Sequence, residues 1–366
     1  MAPTVSDPVG SIWTPGADSP PSCDGYATRF GALVPAVYSW CCSVGAVRVS
    51  NSLDGWAIGR DHVSKPVKLT IVYITGRQEP HVDWMVGDLR RQMQGADEIH
   101  LIVVDAFARS PTLLDIPEGV FRDVVVTVPK PTIWQGPHRV TAVDWWANSN
   151  ARNTGIALCK TDYVVFLDDR CHLGGCWLDT VRAGERGRES VIVGAYEKFE
   201  NGKVIRDHRL QQCPDGKSDC GGGWLYGCTF ALPLEWCLET NGFEEGCDGL
   251  SGEDYIFGFM LENNGRRIDF NTQLFVQLER SAPHSNTYVR TDKGKAPNDK
   301  SHAAIARFKP RKRTEFTADL RRIRAQLLQG EPFPVPDPLA DHRDWYDGTL
   351  IREAVFPPLL DVQAKG

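Results

Sequence analysis

Four strongly apolar segments alternate with helical patterns, and this alternation constrains the fold more than any other feature of the chain. Between the segments, His81 to Gln94 carries apolar residues at helical spacing, and Val140 to Leu158 is also predicted to be helical. Strands that alternate with helices form a mostly parallel sheet with helices on both faces. The sequence therefore predicts an α/β fold whose first strands are VKLTIVYIT (67–75), IHLIVVD (99–105), RDVVVTV (122–128) and DYVVFLDD (162–169).

Polar residues close three of these strands. Thr75 ends the first strand, Asp105 ends the second, and Asp168 with Asp169 ends the fourth. In open α/β sheets, ligands bind beyond the carboxyl ends of the strands. The four side chains are therefore expected on one rim of the sheet, where they would form a single site.

The pattern continues with a hairpin, a glycine-rich segment and a further helix. Residues 190–207 predict two strands joined by a turn at Asn201–Gly202. Residues 213–227, CPDGKSDCGGGWLYG, are expected to be mobile because they are rich in glycine. Residues 252–265 predict a helix with acids at its start, and residues 266–280 predict another strand.

Charge and cysteine usage exclude several classes of protein. A net charge of −6 gives no overall attraction to nucleic acid or to an anionic membrane. The 11 scattered cysteines show no spacing typical of a disulfide framework, which predicts free thiols and a cytoplasmic protein. A zinc site is an alternative, although its members lack the short C-x-x-C spacing; they would be Cys171, Cys176, Cys213 and Cys220. No segment is predicted to span a membrane.

Four short motifs give the chain a resemblance to a known family. They are Ala151-Arg152-Asn153-Thr154-Gly155, Asp168-Asp169-Arg170, Asn241-Gly242-Phe243-Glu244-Glu245 and Glu253-Asp254. In this order and spacing they resemble the GT-A fold glycosyltransferases, and most closely the large inverting glycosyltransferase family two. The resemblance covers about residues 67–285 and implies a Rossmann-like, mostly parallel sheet flanked by helices.

The resemblance implies one domain, and the composition of the two ends divides the rest of the chain. Residues 66–290 would form the GT-A glycosyltransferase domain. Residues 1–22 are expected to be disordered or a linker, and residues 23–65 to be an N-terminal extension that packs on the core. Residues 291–366 are expected to be a C-terminal extension with a basic helix and a proline-rich tail.

The family implies a nucleotide-diphosphate sugar as the donor, with UDP as the first candidate nucleotide. Thr75 and Asp105 would hydrogen-bond the base, and Arg152 would pair with the diphosphate or stack on the base. Asp168 and Asp169 would hold ribose hydroxyls or a metal ion. From the residues alone, Asp105 is equally well explained as a turn former at a strand end, and Arg152 as one half of a surface ion pair.

Arg170 departs from the D-x-D pattern of the family, whose last residue usually holds a divalent cation. Arg170 would either replace the metal and bind the diphosphate through paired hydrogen bonds, or point away into an ion pair. In the second case Asp169 and His284 would bind Mg²⁺ or Mn²⁺. The second interpretation is favoured, because a divalent ion offsets both carboxylates, whereas one arginine offsets about one.

The acceptor hydroxyl needs a base, and Asp254 matches the position that supplies one in inverting relatives. Glu253 would orient the substrate, although both acids are also explained as helix-capping residues. Trp224 and Tyr226 would stack on the acceptor. The glycines at 221–223 would let their segment close over the donor.

The identity of the acceptor is left open. Residues 307–324 contain eight Lys or Arg and two acids, which suits either a polyanion such as modified nucleic acid or a solvated basic face. A saccharide is a further candidate acceptor. Two other functions stay as alternatives, namely a nucleotidyltransferase and a non-catalytic protein that binds nucleotide sugars.

Overall fold

The structure is a computed structural model that describes residues 66–139, 146–248, 252–281 and 298–336. The predictions for residues 1–65 and for the proline-rich tail beyond 336 lie outside these ranges. The strands in the described residues are β1 (Lys68–Thr75), β2 (Glu98–Asp105), β3 (Asp123–Thr127), β4 (Tyr163–Asp168), β5 (Cys171–Leu173), β6 (Ser190–Glu200), β7 (Lys203–Arg206), β8 (Thr229–Pro233) and β9 (Arg267–Glu279). The helices there are α1 (Val82–Gln92), α2 (Asn148–Leu158), α3 (Trp177–Gly187), α4 (Arg209–Gln212), α5 (Leu234–Glu239), α6 (Glu253–Asn263), α7 (Asn298–Phe308) and α8 (Leu320–Leu328).

These strands form one sheet in the order β3-β2-β1-β4-β8-β6-β9-β5, and β7 pairs with β6. Strands β3, β2, β1 and β4 run parallel, whereas β8 is antiparallel to both of its neighbours. The predicted α/β sheet flanked by helices is therefore confirmed, and it is consistent with a GT-A fold. The parallel strands are apolar on both faces because helices cover both sides.

The strand order reverses direction at β1. The chain moves outward from β1 through β2 to β3 and then returns to the other side of β1 as β4. In register, Thr75 lies opposite Asp105 on β2, and Ile74 lies opposite Asp168 on β4. A crevice opens at such a reversal, beyond the carboxyl ends of the strands. The rim predicted from the sequence is therefore the part of the fold where a ligand site is expected.

Helix α2 carries the A-R-N-x-G motif and is buried on nearly all sides. A Cβ at Gly155 would lie 2.3 Å from Val72 Cγ1, so glycine allows the helix to pack closely on β1. Asn153 exchanges hydrogen bonds with the backbone of Phe243, at 2.8 and 2.9 Å. The carboxylate of Asp248 accepts from the first backbone N–H groups of the helix, those of Ser149 and Asn150. The motif thus joins helix, sheet and the N-G-F-E-E turn.

The glycine-rich segment was predicted to be mobile, but it is docked on helix α6. Gly222 donates its backbone N–H to Glu262 at 2.8 Å. A Cβ at Gly258 of α6 would lie 2.1 Å from the carbonyl oxygen of Gly222, so two glycines bring the segment and the helix into backbone contact. The sequence pattern was misread because glycine serves close packing here and not flexibility.

The basic run over residues 307–324 is divided between the end of one helix, a loop and the start of α8, whose sequence LRRIRAQLL carries three arginines. Helix α7 ends at Phe308, and α8 begins only at Leu320. The intervening residues are held by the N-G-F-E-E turn, because Glu244 accepts from the backbone of Phe316 at 2.9 Å and Asn241 accepts from the backbone of Leu320 at 2.8 Å. The segment is part of the core, since Phe308, Phe316 and Leu320 are buried.

Two further predictions concern helices. The helix predicted from Val140 begins at Asn148, and residues 140–145 lie outside the described ranges. None of the helices in the described residues is long and apolar enough to cross a membrane.

Candidate active site at the strand ends

Asp168 and Asp169 are enclosed by arginines where β4 ends. Arg280 donates one terminal nitrogen to Asp168 at 3.0 Å and the other to Asp169 at 3.3 Å. Arg77 lies 3.4 Å from the same Asp169 oxygen, and Thr75 donates its hydroxyl to the second Asp169 oxygen at 2.8 Å. Burial raises the pKa of Asp169, and the two arginines oppose that rise. The paired acids are therefore already supplied with cationic partners from the protein.

Arg170 points away from this cluster. Its backbone adopts the left-handed conformation, with φ of 56°, and its guanidinium lies 6.0 Å from the ring of Trp84. The side chain is buried, and its Nε and Nη1 atoms find no hydrogen-bond partner in the described residues. The ion pair predicted for Arg170 is likewise not found within the described part of the chain.

Arg152 bridges β4 and α6. It donates to Asp168 at 3.0 Å and to Glu253 at 3.1 Å, and its guanidinium lies 5.2 Å from the ring of Phe243. A Cβ at Gly227 would lie 2.2 Å from Arg152, so glycine is needed for this packing. The side chain is almost completely buried, unlike the surface ion pair that the sequence offered as an alternative.

Asp254 stands next to Glu253 at the start of α6. It accepts backbone N–H groups from Gly227 at 3.0 Å and from Tyr255 at 2.8 Å. Burial, followed by the charge of Glu253, raises the pKa of Asp254 to about 7. A carboxyl group that titrates near neutral pH can take up a proton during a reaction.

Asp105 is buried and supports a loop. Its carboxylate accepts from the backbone of Phe107 at 3.1 Å and of Arg109 at 2.9 Å, and it pairs with the Arg109 guanidinium at 2.6 Å. Arg109 also donates to the carbonyl of Arg77 at 2.7 Å. These contacts match the turn-forming role that the sequence offered as the alternative to base recognition.

Aromatic side chains lie beside Asp254. Tyr226 packs edge-to-face on Tyr255 at 5.3 Å, and the guanidinium of Arg209 lies 4.0 Å from the centre of its ring. Trp224 packs instead on Phe270 of β9, with 5.5 Å between the ring centres. Tyr226 is thus close to the candidate base, whereas Trp224 belongs to the packing of β9.

The predicted metal site was Asp169 with His284, and His284 lies outside the described residues. Every carboxylate oxygen of Asp168 and Asp169 already accepts from a protein donor. A cation bound there would lie against Arg280 and Arg77, so these two acids do not fit a divalent ion. Within the described ranges, no three His, Cys, Asp or Glu side chains are grouped to hold a metal, and the eight cysteines there are free.

The basic run lies at the far end of α6 from Asp254. Asn263, the last residue of that helix, donates to the carbonyls of Lys309 and Arg311 at 2.7 Å. A helix of 11 residues spans about 16 Å. Several side chains of the run pair within the fold, as Arg311 does with Glu315 at 3.9 Å. An acceptor bound along the run would therefore have to extend about one helix length to reach the candidate base.

No protein-family model matches the chain, and no curated protein matches it. Similar solved structures include residues 1–349 of S. aureus TarS with UDP, at 14% identity over 66% of this chain and 64% of that chain, with a TM-score of 0.47. The same TarS fragment with UDP-GlcNAc is 16% identical over 66% of this chain and 66% of that chain, with a TM-score of 0.48. GalNAc-T7 with UDP, GalNAc and Mn²⁺ is 15% identical over 74% of this chain and 59% of that chain, with a TM-score of 0.45.

These neighbours are glycosyltransferases of the GT-A type. The chain spans less than two thirds of the length of each neighbouring chain, at 64%, 66% and 59%. At these identities and TM-scores the likeness carries no argument about substrate or activity. The ligands belong to the neighbours, and a function for this chain has to be argued from its own residues.

Three arginines of the site were missed by the sequence analysis. Arg280 ends the predicted strand 266–280 and gave no local signal. It reaches the site because β5 pairs with β9, which places Cys171 opposite Leu278. Arg77 and Arg109 follow β1 and β2 closely, so their positions after the strand ends were a usable signal.

Proposed function

We propose that the chain is a glycosyltransferase that moves a sugar from a nucleotide-diphosphate donor to an acceptor hydroxyl. The observation that carries this proposal is the link between the strand ends and the candidate base. Arg152 contacts both Asp168, at the strand end, and Glu253, which precedes Asp254. A donor at the rim and an acceptor beside α6 would then meet at Asp254.

The proposed reaction is a single displacement with inversion at the anomeric carbon. Asp254 takes the proton of the acceptor hydroxyl as its oxygen attacks that carbon. The bond between this carbon and the diphosphate oxygen breaks, and the nucleotide diphosphate leaves with the electron pair. The pKa of about 7 suits a carboxylate that must be ionised before transfer and protonated after it.

The donor would lie across the ends of β1, β2 and β4. The residues proposed to surround it are Thr75, Asp105, Arg152, Asp168 and Asp169, whereas Arg170 points away towards Trp84 and is not among them. Asp105 and Arg152 already have partners within the protein, so their contribution is to hold the rim in place. UDP is the first nucleotide to test, because the family resemblance of the sequence implies it.

A saccharide is the acceptor class that we favour over a polyanion. Tyr226 and Tyr255 offer aromatic surface next to Asp254, and sugar rings pack well on such surface. Glu253, which precedes Asp254, is proposed to orient a hydroxyl group of this acceptor. Trp224 is less suited to this role because it packs on Phe270.

The test uses UDP-linked sugars with saccharide acceptors and follows the product by proton NMR. A product with inverted anomeric configuration supports the proposal, and a product with retained configuration overturns the single displacement. A non-catalytic nucleotide-sugar-binding protein is the second candidate, because both oxygens of Asp254 accept backbone N–H groups, as those of a purely structural acid would. It predicts donor binding without any product.

A further inference from the structure

Each carboxylate oxygen of Asp168 and Asp169 accepts a hydrogen bond from a donor in the protein. Asp168 accepts from Arg152 on one oxygen and from Arg280 on the other, each at 3.0 Å. Asp169 accepts from Thr75 on one oxygen, and from Arg280 on the other with Arg77 beside it. A divalent ion would need these same oxygens and would face two guanidinium groups.

Among the described residues, Arg280 is the one cation that contacts both acids. Its two hydrogen bonds engage two of the five N–H groups of a guanidinium, and its side chain is 21% exposed. The acids raise the pKa of Arg280, so its charge is permanent. The remaining N–H groups form a fixed fork of the kind that binds phosphate oxygens in pairs.

We propose that Arg280 occupies the cation position of this site in place of a divalent ion and binds the diphosphate of the donor. Arg77 lies beside Asp169, is 16% exposed and adds a second positive charge. This inference rests on the proposed function for its ligand, but the occupancy of the acids by Arg280 is independent of it. When the diphosphate leaves, its charge develops next to a guanidinium that is already oriented by Asp168 and Asp169.

The first arm of the test uses Mn²⁺ alone, titrated into the full chain and followed by electron paramagnetic resonance. The wild type is expected to show no specific Mn²⁺ site. Arg280→Ala removes the guanidinium that contacts both acids and frees one Asp168 oxygen from its donor, so this variant should bind one Mn²⁺. Arg280→Ala combined with Asp169→Asn should lose that binding. One Mn²⁺ bound by the wild type and abolished by Asp169→Asn overturns the inference, and so does an Arg280→Ala variant that binds none.

The second arm uses UDP and calorimetry, in EDTA and then in Mn²⁺. The wild type should bind UDP equally in both, and Arg280→Ala should weaken binding in EDTA by about tenfold or more. Arg280→Lys keeps the charge that balances the acids but lacks the forked guanidinium, so it tests the fork if the alanine variant fails to fold. It should bind UDP more weakly than wild type and better than Arg280→Ala. Arg206→Ala, at an exposed arginine of β7, is the matched control and should bind normally.

The two arms separate the possible failures. Wild-type UDP binding that requires Mn²⁺, or Arg280 variants that bind UDP normally in EDTA, overturn the inference and leave the proposed function intact. A wild type that binds no nucleotide diphosphate in either condition overturns the proposed function, and the Mn²⁺ titration then still decides whether Arg280 occupies the cation position.

Discussion

Arg152 donates to Asp168 at 3.0 Å, so a partly buried ion pair fastens helix α2 to the end of β4. The same guanidinium donates to Glu253 at 3.1 Å, where α6 begins. The strand-end acids and the helix that carries Asp254 are therefore held at a fixed separation. This arrangement gives Arg152 a structural role as well as its proposed place in the donor site.

Replacing Arg152 by Ala should destabilise the fold. Asp168 and Glu253 would each lose a charged partner in a largely buried position, and breaking such a pair costs about 3–5 kcal/mol. Urea denaturation of the variant measures the change in the free energy of unfolding. Arg206→Ala is the control, since its exposed pair with Glu197 should contribute less than about 1 kcal/mol. Equal losses in the two variants would contradict the structural role of Arg152.

Gly222→Ala should destabilise the docked glycine-rich segment. The new Cβ would lie 2.4 Å from the backbone nitrogen of Phe259, which cannot move aside as a flexible side chain can. Overpacking of this kind costs about 1–3 kcal/mol. Gly223→Ala is a matched control in the same segment, because its nearest atom is a Phe259 ring carbon at 3.4 Å. If both variants unfold at the same urea concentration as wild type, the segment is not docked in this way.

Glu244 should make the stability depend on pH. Burial raises the pKa of Glu244 from its ordinary value of 4.5 to about 7. Between these two pH values, the folded state keeps a proton that the unfolded state has already lost. The stabilisation from this proton is complete below about pH 4.5 and is lost as the pH rises through about 7. Glu244→Gln stays neutral, so its free energy of unfolding should fall less than that of the wild type over this range. Parallel curves for the two proteins would contradict the shifted pKa.

Asp254 should give the reaction its own pH dependence. As a base with a pKa of about 7, it must be ionised to act, so kcat/KM should fall about tenfold per pH unit below neutral. The rate of donor hydrolysis between about pH 5 and 8 measures this profile. A flat profile would exclude Asp254 as the base in the rate-limiting step.

The sequence predicted the rim because its signals were local. Apolar strands that end in Thr75, Asp105 and Asp168 identify both the sheet and the ends at which ligands bind. The E-D pair likewise identified the start of α6. Such features depend on residues that are close in the chain.

The arginine cluster was not predictable in the same way. Arg280 lies 112 residues from Asp168 along the chain, and only the pairing of β5 with β9 brings the two together. The docking of residues 309–319 on the N-G-F-E-E turn also depends on distant backbone contacts. Charge counts alone therefore did not show that residues 309–319 form a packed loop between two helices.

The release of UDP from UDP-linked sugars by the wild type and by Asp254→Asn tests the central claim most directly. Asparagine keeps the size of the side chain and can still accept a backbone N–H, so donor affinity by calorimetry should be nearly unchanged. The wild type should release UDP, and the variant should release it about a hundredfold more slowly or worse, because an amide cannot take up the proton. Equal rates in the two proteins, or no release by a wild type that binds the donor, would contradict the account.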